Sequence, residues 1–272
     1  MKKRLSPFSG FFMALVYMFL YAPIAVMIFF SFNSAKSTTK FEGFSFKWYE
    51  ELFRKPEVIE ALINTLILAL ASAAIATLLG TLAAVGINMV KNKPFPSTMM
   101  MVTNIPMMNP DIVTGVSLML LFVFVGRFIG AADSLSFVTL LIAHVTFNLP
   151  YVILNVLPKL RGMDRSLVEA AMDLGCTPVS SFFKVVLPEI MPGIFSGALM
   201  AFTLSLDDFV ISYFTSGADF QTLPLYMYSI TRKNVKPDIY ALSTIVFVVI
   251  LLLLLLSNMI QIKSDKKKMG RK

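Results

Sequence analysis

Six stretches of the chain are apolar almost without interruption, at roughly 11–33, 61–90, 99–126, 135–157, 193–215 and 239–262. Each can supply the run of about 20 helical residues that one hydrocarbon thickness requires. Runs such as VFVVILLLLLLSNMI do not alternate between apolar and polar positions, which argues against the alternating segments of about 10 residues that build a transmembrane barrel. The pattern predicts an all-α integral membrane protein with six transmembrane helices in one membrane domain over 11–262. It leaves a short N-terminus (1–10), a long loop (158–192) and a polar tail (263–272).

Composition supports this reading: of 272 residues, 57% are hydrophobic and 15% charged. None of the six stretches contains a Lys or Arg. With the N-terminus inside, the inner segments 1–10, 91–98, 158–192 and 263–272 carry 15 Lys and Arg, against 9 in the outer segments. The excess of basic residues on one side predicts that both termini are cytoplasmic. Met1-Lys2-Lys3-Arg4 could open a secretory signal, but the apolar run behind it is too long and lacks a small-x-small cleavage site, so it reads as a retained first span. The tail KSDKKKMGRK then anchors at an anionic leaflet. It accounts for most of the +8 net charge without nucleic acid.

The single cysteine, Cys176, excludes an internal disulfide and a cysteine metal cluster. The single histidine, His144, lies in the fourth span and reads as a hydrogen-bonded packing residue between helices. The second span, rich in Ala, Gly, Ser and Thr, lets backbones approach closely and reads as a helix-packing span. In the first outer loop Trp48 and Tyr49 suit the membrane interface. In the third span Asn104-Ile105-Pro106-Met107-Met108-Asn109-Pro110-Asp111 predicts a break near 106–110, because each proline removes a donor and disfavours helix in the residue before it. Asn109 would cap the new helix, with Pro110 at its first position and Asp111 in its first turn. Irregular backbone at membrane depth is tolerated only where protein buries it or water reaches it, so the break is a candidate cavity wall.

The loop PKLRGMDRSLVEAAMDLGCTPVSSFFKVVLPEIMPG is far longer than a turn needs. Ser166 and Glu169 fit a capping box, Gly175 fits a left-handed helix stop, and Thr177-Pro178 restarts a helix by cap and proline. Two short cytoplasmic helices are expected. Glu169-Ala170-Ala171, Gly175, Phe182, Val185, Leu187 and Pro188 resemble the "EAA" signature of permease subunits of binding-protein-dependent ABC importers of type I architecture. The resemblance implies that Glu169, Ala170, Ala171 and Gly175 belong to a coupling helix seated on an ATPase subunit. No GxxxxGK[ST] phosphate-binding loop occurs in the chain. It is therefore expected not to be an enzyme itself and to bind no cofactor; ATP and Mg would sit on the partner.

In the fifth span Thr203-Leu204-Ser205-Leu206-Asp207-Asp208-Phe209-Val210 places two carboxylates in an apolar run. Each costs about 2.5–3.5 kcal/mol near a helix centre, and with Asp111 the membrane region holds three acids and one weak base, His144. Their counter-charge is expected from a proton, another subunit, water or a cationic ligand. Adjacent helical residues point about 100° apart, so one of Asp207 and Asp208 would face a path and the other a polar neighbour. Phe202, Phe209 and Tyr213 could add cation–π contacts, although packing is the plainer use of aromatics at this spacing.

MMNPDIVTGVSL, FNLPYVILNV, MDRSLVEAAMDLG, SLDDFVISYFTSG and TLPLYMYS together resemble the second permease of spermidine/putrescine ABC importers. That resemblance implies a multi-pass protein of a bacterial inner membrane, paired with a second permease, two ATP-binding subunits and an extracytoplasmic polyamine-binding protein. Asp111, Asp207 and Asp208 would line the substrate path. The residues alone leave open a related importer for another small solute, or a passive cation channel.

Overall fold

In the computed structural model the structure describes residues 7–36, 40–90, 94–130, 134–164, 166–232 and 237–269. Met1–Arg4, Arg165 and the last three residues of the basic tail lie outside these, as do the tail's side chains. The described chain is helical throughout apart from loops and one isolated antiparallel bridge, Asn33 to Phe44. In order the helices are α1 (Pro7–Ser31), α2 (Lys47–Phe53), α3 (Pro56–Met89), α4 (Pro94–Met108), α5 (Asp111–Phe128), α6 (Phe137–Arg161), α7 (Ser166–Asp173) and α8 (Pro178–Ser181). A five-residue π-helical turn, Phe182–Val186, then leads into α9 (Leu187–Asp207), followed by α10 (Val210–Thr215), α11 (Leu223–Thr231) and α12 (Pro237–Met269). Six helical stretches are long and apolar enough to cross a membrane: Gly10–Ser31, Pro56–Met89, Asp111–Phe128, Phe137–Arg161, Pro178–Asp207 and Pro237–Leu256.

The chain forms two compact units, one of Met1–Ile59 with Met227–Leu251, the other of Glu60–Tyr226 with Leu252–Lys272. In the first unit the loop between α1 and α2 is organised by Asn33. Its side-chain oxygen accepts from the Ala35 and Glu42 N–H groups at 3.2 and 3.0 Å, and its amide donates to the Lys40 carbonyl at 2.6 Å. Trp48 donates its indole N–H to the Asn33 carbonyl at 2.6 Å and is buried. It therefore holds the loop together. The exposed aromatics here are Phe44, Phe46 and Phe53. Lys55 pairs with the buried carboxylate of Asp238 at the start of α12.

The second unit is built on α3, α6 and α9. Ala73, Ala76, Ala84 and Ile87 of α3 meet Val152, Ile153, Val156 and Leu157 of α6, with Ile190 and Ala201 of α9, in one apolar core. Small side chains permit this close approach: a Cβ on Gly80 would fall 2.7 Å from Val152 Cγ1, and one on Gly193 2.8 Å from the Asn155 carbonyl oxygen. The second span is thus a packing helix on one face only. Leu66, Leu70, Leu78 and Leu82 stand exposed on the rest of it.

Candidate functional site

Two helix breaks shape the membrane part of the site. The first separates α4 from α5 at Asn109–Pro110, while Pro106 is accommodated inside α4. Pro110, with φ −57° and ψ 135°, takes the capping position that the sequence assigned to Asn109. Its carbonyl accepts from Val113 and Thr114 at 2.9 and 3.2 Å, and the Asn109 amide donates instead to the Thr114 hydroxyl at 3.3 Å. Asp111 is exposed in the first turn of α5, within electrostatic reach of the Tyr151 phenol on α6.

The second break divides the fifth span, which the sequence presented as one helix over 193–215. Asp208 takes extended backbone, φ −64° and ψ 125°, between α9 and α10. The reason lies in its own side chain. One carboxylate oxygen accepts from the Ile211 N–H at 3.3 Å, the other from the Ser212 N–H at 2.8 Å and the Ser212 hydroxyl at 2.9 Å. Asp208 thereby satisfies the free donors at the start of α10, where the helix dipole also favours a negative charge. An aspartate that caps a new helix offsets the loss of continuity in the old one.

Around this cap lies a buried polar cluster. His144 Nε2 is 3.0 Å from Ser212 Oγ and 3.5 Å from Asp208 Oδ2, and Nδ1 is 3.1 Å from Ser205 Oγ. Asn148 donates to the Ser205 hydroxyl at 2.7 Å, and Ser72 shares a hydrogen bond with it at 2.9 Å. Asp208 therefore has hydrogen-bond donors within this chain, the Ile211 and Ser212 amides and the Ser212 hydroxyl, with His144, the one weak base of the spans, at 3.5 Å. Asp207, the last residue of α9, is exposed.

The two aspartates thus diverge because the helix breaks between them. Phe202 is partly buried and packs against the apolar core, whereas the Phe209 and Tyr213 rings lie 5.6 Å apart, with Tyr213 exposed. α5 lies against α10: a Cβ on Gly115, one turn beyond Asp111, would touch Phe214 and come within 3.5 Å of the Val210 carbonyl oxygen. Both breaks therefore sit on elements in mutual contact. The cluster itself escaped the sequence reading, yet Ser205, Asp208 and Ser212, at spacings of three and four, form a polar stripe that could have revealed it.

The loop over 158–192 is a second candidate site. α7 carries Glu169, Ala170 and Ala171, with Glu169 and Ala170 exposed. Gly175 has φ +87°, and the Gly175 and Cys176 N–H groups return to the Met172 and Ala171 carbonyls at 2.9 and 3.0 Å, the left-handed helix stop that the sequence implied. Thr177 caps α8 by accepting from the Ser180 N–H at 3.3 Å, with Pro178 following. The start of α7 differs from the expected Ser166–Glu169 box. Asp164 holds it, accepting from the Ser166 N–H on its side chain at 3.0 Å and from Leu167 on its carbonyl at 3.3 Å. Beside α7 lies a cavity of about 320 Å³ lined by Asn88, Leu160, Met163, Glu169, Met172 and Phe182 among others, at the ends of α3 and α6.

Residues 76–268 match the family described as binding-protein-dependent transport system inner membrane component. The chain belongs to this family. Among its relatives, this permease is 41% identical over 256 residues to the spermidine/putrescine transport system permease protein PotC of Haemophilus influenzae, covering 93% of this chain and 96% of that one. It is 42% identical over 241 residues to the putrescine transport system permease protein PotI of Escherichia coli K12, covering 89% and 86%. A bacterial ABC transporter that imports the acidic polysaccharide alginate contains a chain of the same fold, with a TM-score of 0.71 at 16% identity over 94% of both chains. The permease is thus a multi-pass membrane protein with the fold of ABC importer permeases.

Proposed function

We propose that this permease forms one half of the translocation path of an ATP-driven polyamine importer, with spermidine or putrescine as cargo. The observation that carries the reading is the exposed carboxylate of Asp207 at the broken end of α9, beside a carboxylate already satisfied by the protein. An exposed acid in an apolar run, 193–215, that contains no Lys or Arg suits a transient organic cation. Asp111, on the helix packed against α10, and the exposed Tyr213 of α10 are assigned to the same path. The relatives, named for spermidine and putrescine transport, support a polyamine over another solute.

On this reading the second half of the path is a different permease. Two ATP-binding subunits meet the permease pair from the cytoplasm, this one through Glu169, Ala170, Ala171 and Gly175, and an extracytoplasmic binding protein delivers the cargo. ATP and Mg act on those partner subunits, and this chain performs no chemistry on them. Both termini face the cytoplasm of a bacterial inner membrane, as the basic residues of the loops indicate.

Uptake assays in a reconstituted complex test the proposal. Labelled spermidine and putrescine should enter in an ATP-dependent manner, and a neutral or anionic solute of similar size should not compete. Uptake that is indifferent to polyamines, or that needs no ATPase subunit, would discard it.

A further inference from the structure

The imidazole of His144 spans the break in the fifth span. Nδ1 meets Ser205 on α9 at 3.1 Å, and Nε2 meets Ser212 on α10 at 3.0 Å. The histidine is 1% exposed, Ser205 2% and Ser212 0%, so no bulk water substitutes for these contacts. Counting hydrogens decides which ring nitrogen donates. A serine hydroxyl has one hydrogen, and that of Ser212 goes to Asp208 Oδ2 at 2.9 Å. The contact between Ser212 Oγ and Nε2 therefore takes its hydrogen from the ring. With Nδ1 as acceptor, Ser205 gives it its one hydrogen and accepts from Asn148 at 2.7 Å and from Ser72 at 2.9 Å; the hydroxyl hydrogen of Ser72 is then shared with its longer contact to the Ala69 carbonyl at 3.3 Å.

We propose that His144 is a positioning residue, a strut whose Nε2–H donates to Ser212 while Nδ1 holds Ser205, fixing the angle between α9 and α10. Asp207 stands at the rim of that angle. The strut sets the geometry in which its carboxylate meets a cation without touching the cation itself, and this functional consequence rests on the polyamine-permease reading above.

Because His144 is the only histidine of the chain, nitrogen-15 histidine labelling confined to this subunit gives the signals of a single ring in the assembled complex. A protonated Nε2 is expected. A ring whose Nε2 carries no hydrogen would overturn the proposal.

Substitution supplies the second arm. His144→Gln keeps a donor that can reach Ser212, His144→Asn is too short for it, and His144→Phe keeps the ring volume without polar atoms. The half-saturating polyamine concentration should rise less than about threefold in the glutamine variant, and by about tenfold or more in the other two, the scale of one lost hydrogen bond in a buried network. Equal behaviour of all three variants, or wild-type uptake by His144→Phe, rejects the strut. Should the wild-type complex take up no polyamine at all, the proposed function fails, and the nitrogen signals still decide the hydrogen-bond assignment.

Discussion

Asp207 and Asp208 are adjacent in the chain and stand on opposite sides of a helix break, the first exposed at the end of α9, the second with its side chain 7% exposed and capping α10. Their substitutions should separate accordingly. Asp208→Ala removes the acceptor of three hydrogen bonds and leaves buried donors unmatched, at a cost of about 1–3 kcal/mol; the complex should melt at a lower temperature. Asp207→Asn should leave the melting temperature unchanged and slow polyamine uptake by about tenfold or more, the effect of losing a charge-assisted contact. Thermal unfolding and uptake measured on the same preparations check both, and equal loss of stability in the two variants would contradict this division of roles.

Gly175 holds φ +87° at the end of α7, a conformation that costs a residue with a Cβ about 1–2 kcal/mol. Space is not the obstacle, since a Cβ there would meet nothing within 4 Å. Gly175→Ala should therefore loosen the α7–α8 turn without disturbing the membrane core, and Gly175→Asn should do so less, because asparagine tolerates the left-handed region better. In the reconstituted complex the expected result is ATPase activity that responds less to substrate, in the order Gly, Asn, Ala.

The helices were legible because long apolar runs and cap residues act locally. Gly175 and Thr177-Pro178 specify their turns through backbone preferences of one or two residues, and those features appear where the sequence puts them. The break at Asp208 was not legible in the same way. It depends on a trade between continuing α9 and capping α10, and the cap is reinforced by His144, over 60 positions earlier in the chain. The contact made by Trp48 was hidden for a related reason. Its indole suits an interface, but Asn33 folds the loop back and offers its carbonyl to the ring nitrogen. At the third-span break the residue types were sufficient to locate it, and only the assignment of the cap moved, from Asn109 to Pro110.

The Asp164 carboxyl is held below the usual carboxylate range by the backbone N–H and hydroxyl of Ser166. A depressed value in the folded state means that the unfolded chain binds the proton more readily. The stabilisation is therefore present above the ordinary carboxylate range, about 3.9, and is lost as pH falls through the lower folded value. Between pH 5 and 8 the protection of the first α7 amides from hydrogen exchange should be independent of this group. Below about pH 4 it should fall in the wild type, and in Asp164→Ala it should be low at every pH.

Gly80 supplies the most stringent packing test. A Cβ there would lie 2.7 Å from Cγ1 and 2.8 Å from Cβ of Val152, with the Leu149 carbonyl oxygen at 3.5 Å. Val152 is fully buried on α6 and packed against α9, so the valine has no empty space to turn into. Gly80→Ala should cost about 1–3 kcal/mol, the range for overpacking a tight core. Val152→Ala alone should also destabilise, through the cavity it leaves. Combined, the added methyl enters the space vacated by the valine, and the double variant should be more stable than the sum of the single effects predicts. The two residues touch, so a coupling of about 0.5–3 kcal/mol is expected from the double-mutant cycle. Additive losses would mean that α3 and α6 adjust their separation freely, and the small-residue contact would then not set their approach.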